Sequence, residues 1–213
     1  INIYLYGSRV YGTASAQSDY DFLVVVEDNA ILPPHGTNLD NNNTQTTTNI
    51  EEDAEIDDNT IKGRDGNDAT FYRESLFVQK LKQHKQNVTE CYFLPQQYVI
   101  LNRRTYNIPL DVKQLRHSFS KLVGNSYAKA GKKLTIEKDL DIRKGKKSLF
   151  HSLRILMFGI QIAQFGRIVD YSEANALWAE IDSDPSVEWD HYHQKYKKEF
   201  NRLKSRFREV APL

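Results

Sequence analysis

Two apolar, strand-forming segments near the start of the chain enclose a polar turn. The first covers residues 1–6 (INIYLY) and the second covers residues 21–26 (DFLVVV). Both are rich in β-branched and aromatic residues, and a nearly continuous apolar run such as the second is typical of a strand buried on both faces of a sheet. The polar stretch 7–19 between them contains Gly7 and Gly12 as breakers and has room for a short helical turn. The segment therefore predicts a strand, a turn and a second strand.

The polar residues of this segment have a spacing that suits phosphate chemistry. Asp19 and Asp21 lie two positions apart at the start of the second predicted strand. Because strand residues alternate between faces, both carboxylates are expected on one face, where they can share hard cations such as Mg²⁺. Gly7 permits close approach of the backbone, and the Ser8 hydroxyl with the turn amides can hold a triphosphate. Arg9 is either a further phosphate contact or an outward-facing charge. The alternative is a turn whose aspartates only cap a loop.

Composition is typical of a soluble globular protein, with 39% hydrophobic and 27% charged residues. No apolar run approaches the roughly 18 residues that a membrane span needs. The single cysteine, Cys91, excludes an internal disulfide framework and a cysteine-based zinc cluster. Residues 38–68 are strongly acidic although the net charge is +1, so the remainder is basic, which suits polyphosphate or nucleic acid partners. The chain opens at Ile1 inside a strand-like run, so a preceding piece is expected; an intracellular, cytoplasmic location is expected as well.

Hydrophobic periodicity divides the chain into a strand-led part, 1–110, and a helical part, 111–213. Residues 29–67 lose this periodicity, become rich in Asn, Thr and acidic residues, and are predicted to be a disordered insertion. The other elements are predicted from local patterns. Strands are expected at 69–72 and 90–93, an extended or helical piece at 97–101, and helices at 75–84, 112–131, 144–165, 171–181 and 192–210.

The string GSRVYGTASAQSDYDF, residues 7–22, resembles the signature of the polymerase-β-type nucleotidyltransferase superfamily. Its form is closest to the RNA-repair-associated, YcgL-like predicted nucleotidyltransferases. A weaker similarity continues through DATFYRESLFVQKL, NVTECYFLP and KKSLFHSLRILMFGIQIAQFGRI, so that the resemblance touches about half of the chain. It implies an α/β (α+β) nucleotidyltransferase core with a short mixed sheet, followed by a mainly helical C-terminal lobe.

The resemblance also implies an activity. A metal-dependent nucleotidyltransferase would move a nucleoside monophosphate from a nucleoside triphosphate to a hydroxyl acceptor and release pyrophosphate. The expected acceptor is RNA or another polynucleotide. Asp19, Asp21 and a third carboxylate would hold Mg²⁺ or Mn²⁺ and carry catalysis. Asp68 is the candidate for the third position, with Asp65 and Glu74 as rivals. Alternatives are an inactive nucleotide- or nucleic-acid-binding module and a toxin or antitoxin component that transfers the nucleotide to protein.

Further candidates lie beyond the turn. Lys147, His151 and Arg154 fall at i, i+4 and i+7 of a predicted helix, and this cationic stripe is either a nucleotide-binding surface or a solvated face. Glu90, which the resemblance also marks, is otherwise a charge at the end of a strand. Residues 195–208 alternate bases with apolar residues, which predicts a packed helix whose basic face can contact a nucleic acid backbone. Base preference and oligomeric state have no signal in the sequence.

Overall fold

The computed structural model of the chain describes residues 1–32, 59–63, 66–136 and 139–213. Residues 33–58 and 64–65, which make up most of the predicted insertion, lie outside the described residues. Asn59–Lys62 form a strand, so the prediction of disorder is wrong for this part of the 29–67 segment. The physical reason is pairing across the sheet, because Thr60 and Ile61 lie opposite Thr70 and Ala69 of the next strand.

The chain divides into two compact units. The first contains Ile1–Lys82 and Asn87–Ile108, and the second contains Gln83–Gln86 and Pro109–Leu213. Within the described part of the chain, no helix combines the length and the apolar character needed to cross a membrane.

The first unit is built on a five-stranded mixed sheet with the strand order β3-β4-β2-β1-β5. Strands β2 and β4 are parallel, and every other neighbouring pair is antiparallel. The apolar run 21–26 forms β2 in the middle of the sheet, as its sequence predicts. The strands are β1 Asn2–Tyr6, β2 Asp21–Val26, β3 Asn59–Lys62, β4 Asp68–Arg73 and β5 Val99–Asn102.

In the part of the chain that the structure describes, three α-helices and a short 3₁₀ turn accompany this sheet: α1 Ser8–Tyr11, α2 Glu74–Lys82, α3 Gln86–Tyr92 and the turn Gln96–Tyr98. The prediction of a strand at 90–93 is wrong, because Glu90 and Cys91 belong to α3. A short apolar run does not distinguish helix from strand by its own pattern. Here the helix buries Val88 and Cys91 together in the core of the first unit, with Leu23 and Phe77.

The described residues of the second unit form four α-helices: α4 Val112–Thr135, α5 Ile142–Phe165, α6 Asn175–Ser183 and α7 Trp189–Val210. Carboxylates cap two of them, since Asp111 accepts hydrogen bonds from the first-turn amides of α4 and Asp141 from that of α5. Helix α6 begins later than residue 171, the predicted start. The preceding segment is held instead by Gln161, whose Oε1 accepts from Val169 N at 2.7 Å and Asp170 N at 2.9 Å.

Helix α5 is the centre of this unit, and most of its side chains between Ser148 and Ile162 are buried. Gly159 allows close packing there, because a Cβ on Gly159 would lie 2.9 Å from the ring of Phe207 on α7 and 3.2 Å from that of Phe119 on α4. A mixed sheet with helices, followed by a mainly helical second part, confirms the predicted fold class.

Candidate active site

The register of the sheet places four polar residues in one row, two of which are predicted site residues. Asp21, the first residue of β2, lies opposite Asp68, the first residue of β4. On the other side of β2, Tyr6 is the partner of Asp21, and beyond β4, Lys62 is the partner of Asp68. Residues that are direct partners point to the same face, and neighbouring strands are about 4.8 Å apart. The row Tyr6, Asp21, Asp68 and Lys62 therefore presents two carboxylates side by side.

Gly7 brings the backbone against one of these carboxylates. Its φ of 78° and ψ of −157° lie in a region that is essentially restricted to glycine. A Cβ at this position would lie 2.9 Å from Cγ of Asp21 and would also collide with its Oδ2. The Gly7 carbonyl accepts hydrogen bonds from Val10 N at 3.0 Å and Tyr11 N at 3.1 Å, which starts α1 at Ser8. The Gly-Ser turn and Asp21 thus form one close contact.

Asp19 lies two residues before β2 rather than within it. The loop that carries it is fixed on one side by Arg9, whose Nη2 donates to Ser18 O at 2.5 Å and whose guanidinium lies 3.8 Å from the centroid of the Tyr20 ring. The structure therefore places Arg9 against the Asp19 loop, between the turn and the strand.

The same loop is fixed on its other side by the start of β4. Tyr20 N donates to the side chain of Asn67 at 2.7 Å, and Asp68 N donates to Tyr20 O at 2.9 Å. Gly66 lies close to Asp19, because a Cβ there would approach Oδ1 of Asp19 to 2.7 Å. Asp19 and Asp68 are consequently held near each other although the sequence separates them widely.

Charge interactions join the carboxylates. Burial raises the pKa of Asp68, and the nearby charge of Asp19 raises it further, whereas Lys62 acts in the opposite direction. Burial also raises the pKa of Tyr6 far above its ordinary value, with contributions from the charges of Asp21 and Asp68. The site is thus an acidic group of residues in which a cation would be stabilised.

Of the two rivals of Asp68, Asp65 lies outside the described residues and Glu74 lies at the other end of β4. Glu74 follows the last residue of that strand, about 20 Å from Asp68 at 3.3 Å per residue. There its carboxylate accepts from the Tyr106 hydroxyl at 3.3 Å and is 3.8 Å from Arg104 Nε. Of the described candidates, Asp68 is the one that the register brings beside Asp21.

Among the described residues, no group of three or more His, Cys, Asp or Glu side chains is arranged so that it could hold a metal ion. The side chains of Asp19, Asp21 and Asp68 nonetheless offer carboxylate oxygens, the type of ligand that Mg²⁺ and Mn²⁺ prefer. The close approach of Gly66 to Asp19 and the hydrogen bond from Asp68 N to Tyr20 O hold Asp19 near Asp68.

Lys147, His151 and Arg154 belong to α5 in the second unit, whereas the carboxylates belong to the first. They form a graded stripe: Lys147 is exposed, His151 is half-buried and Arg154 is buried. Nη2 of Arg154 lies 3.5 Å from Nδ1 of His151. Burial lowers the pKa of His151 to about 3, and Arg154, Lys147 and Lys129 lower it by their charges. His151 is therefore neutral at neutral pH, and the face is not simply solvated.

The contact that anchors α1 is not predicted from the sequence. The Tyr11 hydroxyl donates to Glu90 Oε2 at 2.5 Å, and both side chains are buried. Glu90 is thus a buried acceptor in a helix rather than a charge at the end of a strand. Tyr6 and Lys62 were missed as well, because Lys62 lies in a segment without hydrophobic periodicity and Tyr6 reads only as a strand residue. A β-strand pairing of 59–62 with 68–71 is the signal that could have found Lys62.

Comparison with known proteins agrees with this geometry. No curated protein matches the chain. The family model described as Nucleotidyltransferase domain matches residues 1–107. The match covers β1 to β5 and contains Gly7, Asp21 and Asp68. Since just over half of its 213 residues are matched, the chain belongs to the nucleotidyltransferase domain family, within the polymerase-β-type superfamily.

Proposed function

We propose that the chain is a metal-dependent nucleotidyltransferase that moves a nucleoside monophosphate from a nucleoside triphosphate to a hydroxyl group of RNA or another polynucleotide. Its family supports transfer of a nucleoside monophosphate in general. The observation that carries the proposal is the register pairing of Asp21 with Asp68, beside Gly7 and next to the charge of Asp19. Within the superfamily, we place the chain in the RNA-repair-associated, YcgL-like group on the basis of its Gly-Ser to Asp-x-Asp string.

Asp19, Asp21 and Asp68 are the residues that would hold Mg²⁺ or Mn²⁺ in this reaction. Divalent cations bound there would neutralise triphosphate charge and lower the pKa of the acceptor hydroxyl. Asp21 is fixed for this task by its contact with Gly7, and Asp19 by the hydrogen bonds that hold its loop. The two positions are thus set before substrate arrives, as a preorganised site requires.

Asp68 has a second role as the proton acceptor for the attacking hydroxyl. Its carboxylate lies beside Asp21 in the register of the sheet, at the same end as the other proposed metal ligands. The acceptor oxygen forms a bond to the α-phosphorus while the bond from that phosphorus to the bridging oxygen breaks. The electron pair of the broken bond leaves with pyrophosphate, and the hydroxyl proton passes to Asp68.

The Gly-Ser turn would hold the β- and γ-phosphates. Gly7 has no side chain to obstruct them, and the Ser8 hydroxyl and the turn amides supply donors. The contacts of Arg9 with Ser18 and Tyr20 favour a role in holding the Asp19 loop over direct contact with the nucleotide.

The α5 stripe is proposed as a nucleotide-binding surface. Lys147 is exposed and can bind phosphate as a point charge, whereas Arg154 is buried beside the ring of Phe158. Because His151 is neutral at neutral pH, it would contribute a hydrogen bond and no charge.

The test uses nucleoside triphosphates labelled at the α-phosphate, with Mg²⁺ or Mn²⁺ and with or without mixed RNA. We expect label to move to RNA with the native chain and to be lost in Asp19→Asn/Asp21→Asn. The matched control is Asp182→Asn/Glu188→Gln, which removes two exposed carboxylates from the second unit and should leave transfer unchanged. Transfer that survives the first pair of substitutions would refute the site. Label on the chain or on another protein instead of RNA would indicate the protein-modifying alternative, and no transfer to any acceptor would indicate a binding module.

A further inference from the structure

Helix α7 carries a basic surface that the proposed reaction does not use. The helix runs from Trp189 to Val210 and buries Tyr192, Tyr196, Phe200, Leu203 and Phe207 within the second unit. At about 100° per residue, the opposite side of the helix divides into two flanks of different character.

One flank neutralises itself. Arg202 lies 2.6 Å from Glu199 and Arg206 lies 3.2 Å from Glu209, each three residues along the helix. Lys195 is similarly engaged, 2.9 Å from Asp184 and 3.0 Å from Glu180. These pairs leave little net charge on this flank.

The other flank is mainly basic, with Asp190 as an acidic residue in the first turn of the helix. Lys197, Lys198, Lys204 and Arg208 fall within one sector of about 120°, and none of them forms an ion pair among the described residues. The residues between them are neutral hydrogen-bonding groups, Gln194, Asn201 and Ser205, which are exposed. We call these four basic residues the α7 basic sector.

We propose that the α7 basic sector binds the phosphate backbone of single-stranded RNA. The sector extends about 17 Å from Lys197 to Arg208 at 1.5 Å per residue. Positive groups interleaved with amides and a hydroxyl match a chain of phosphates and sugar hydroxyls, which proteins contact with these side chains. The proposal rests on the proposed function for the choice of RNA as the polyanion.

Two other polyanionic partners fit less well. A helix that lies on a membrane surface must insert its apolar face, but the apolar face of α7 is buried in its own unit. A protein partner would need aromatic or apolar anchors at the centre of the interface, where lysine is depleted, and the sector contains none.

The experiment measures binding of a fluorescein-labelled single-stranded RNA to the full chain by anisotropy at several salt concentrations. The test variant is Lys197→Gln/Lys198→Gln/Lys204→Gln/Arg208→Gln. If four phosphate contacts are lost, the slope of log K against log salt should become less steep by about 2.8. The native chain should then lose about 50-fold more affinity than the variant between 50 and 200 mM salt. A charge-preserving variant, Lys197→Arg/Lys198→Arg/Lys204→Arg/Arg208→Lys, should bind as the native chain does.

The matched control removes the same charge elsewhere in the second unit, at the exposed positions Lys113, Lys121, Arg143 and Arg167. An equal loss of affinity in this control, no RNA binding by the native chain, or preference for phosphatidylserine vesicles over RNA would each overturn the proposal. Asp19→Asn/Asp21→Asn separates the two proposals, since it should abolish transfer and keep RNA binding. Transfer to another acceptor without RNA binding would overturn the α7 basic sector and leave nucleotide transfer intact.

Discussion

Gly7→Ala tests the central contact of the site with one methyl group. Gly7 has a φ of 78° and a ψ of −157°, a backbone conformation that residues other than glycine rarely adopt. The added Cβ would also lie 2.9 Å from Cγ and 3.2 Å from Cβ of Asp21. The substitution therefore combines backbone strain with a clash against one of the proposed catalytic carboxylates.

The two effects have different magnitudes and different readouts. A residue in this backbone region costs about 1–3 kcal/mol, so the free energy of unfolding should fall by about 2 kcal/mol. The clash adds to this only as far as Asp21 fails to move. If Asp21 moves by about 1 Å, transfer activity should fall about 10²-fold, because catalytic geometry tolerates little displacement.

Gly166→Ala is the matched control. Gly166 ends α5 with a φ of 72° and a ψ of 3°, and nothing lies within 4 Å of an added Cβ. Its left-handed conformation should cost about 1–2 kcal/mol without a clash. Urea unfolding and labelled-nucleotide transfer are measured for both variants. If Gly7→Ala is as active as Gly166→Ala, the contact of Gly7 with Asp21 does not position a catalytic carboxylate.

A double-mutant cycle isolates the clash from the strain. Asp21→Ala removes the obstructing carboxylate, so Gly7→Ala should destabilise this background less than it destabilises the native chain. Contacting residues show coupling energies of about 0.5–3 kcal/mol in such cycles. Strictly additive free energies would mean that Gly7 and Asp21 do not press on each other.

Three further predictions concern stability. Asp68→Asn should abolish transfer but raise the free energy of unfolding at neutral pH. Because the pKa of Asp68 is raised in the folded state, its contribution to stability is present at low pH and is lost as the pH rises through the folded-state pKa. A lower urea midpoint of Asp68→Asn at pH 7 would contradict this. The pKa of His151 is lowered to about 3 in the folded state, so the free energy of unfolding should decrease as the pH falls below 6.5, the ordinary pKa of histidine. His151→Gln should flatten this part of the plot of unfolding free energy against pH. Asn2→Ala should destabilise the chain by about 3 kcal/mol or more, because four hydrogen bonds of a buried side chain disappear; an unchanged urea midpoint would show that they contribute nothing.

The elements that the sequence predicts well are those with a strong local pattern. The runs 1–6 and 21–26 form β1 and β2, and the long amphipathic segment from 144 to 165 lies within α5. In each of these, hydrophobic spacing alone decides the secondary structure and the buried face.

The elements that the sequence misses depend on distant partners. Asn59–Lys62 have a polar local sequence and become a strand only because β4 lies beside them. Residues 90–93 have a β-forming composition, yet they belong to or follow a helix that buries Val88 and Cys91. In both cases tertiary packing outweighs local propensity.

The residues of the candidate site differ in the same way, since some are predicted from local sequence and others depend on distant strands. Gly7 and Asp21 are readable because both belong to one short string, and their contact is local in the fold. The pairing of Asp21 with Asp68 is not readable, since the register of a parallel pair is set by strands that are far apart in the sequence. The Tyr11 and Glu90 contact, which joins α1 to α3, has no sequence signal for the same reason.

The features that give this site its chemistry are also the ones that lower the stability of the fold. Gly7 holds a strained backbone, and Asp68 keeps a carboxylate in a partly buried place beside the charge of Asp19. Asparagine in place of Asp68 would relieve that repulsion, so the stability of the fold alone does not explain the presence of an aspartate at this position. Local violations of this kind are expected at functional sites, where stability is exchanged for reactivity. Because the strain and the repulsion converge on one end of β2, the acidic end of the sheet is more readily explained by binding of a cation than by structure.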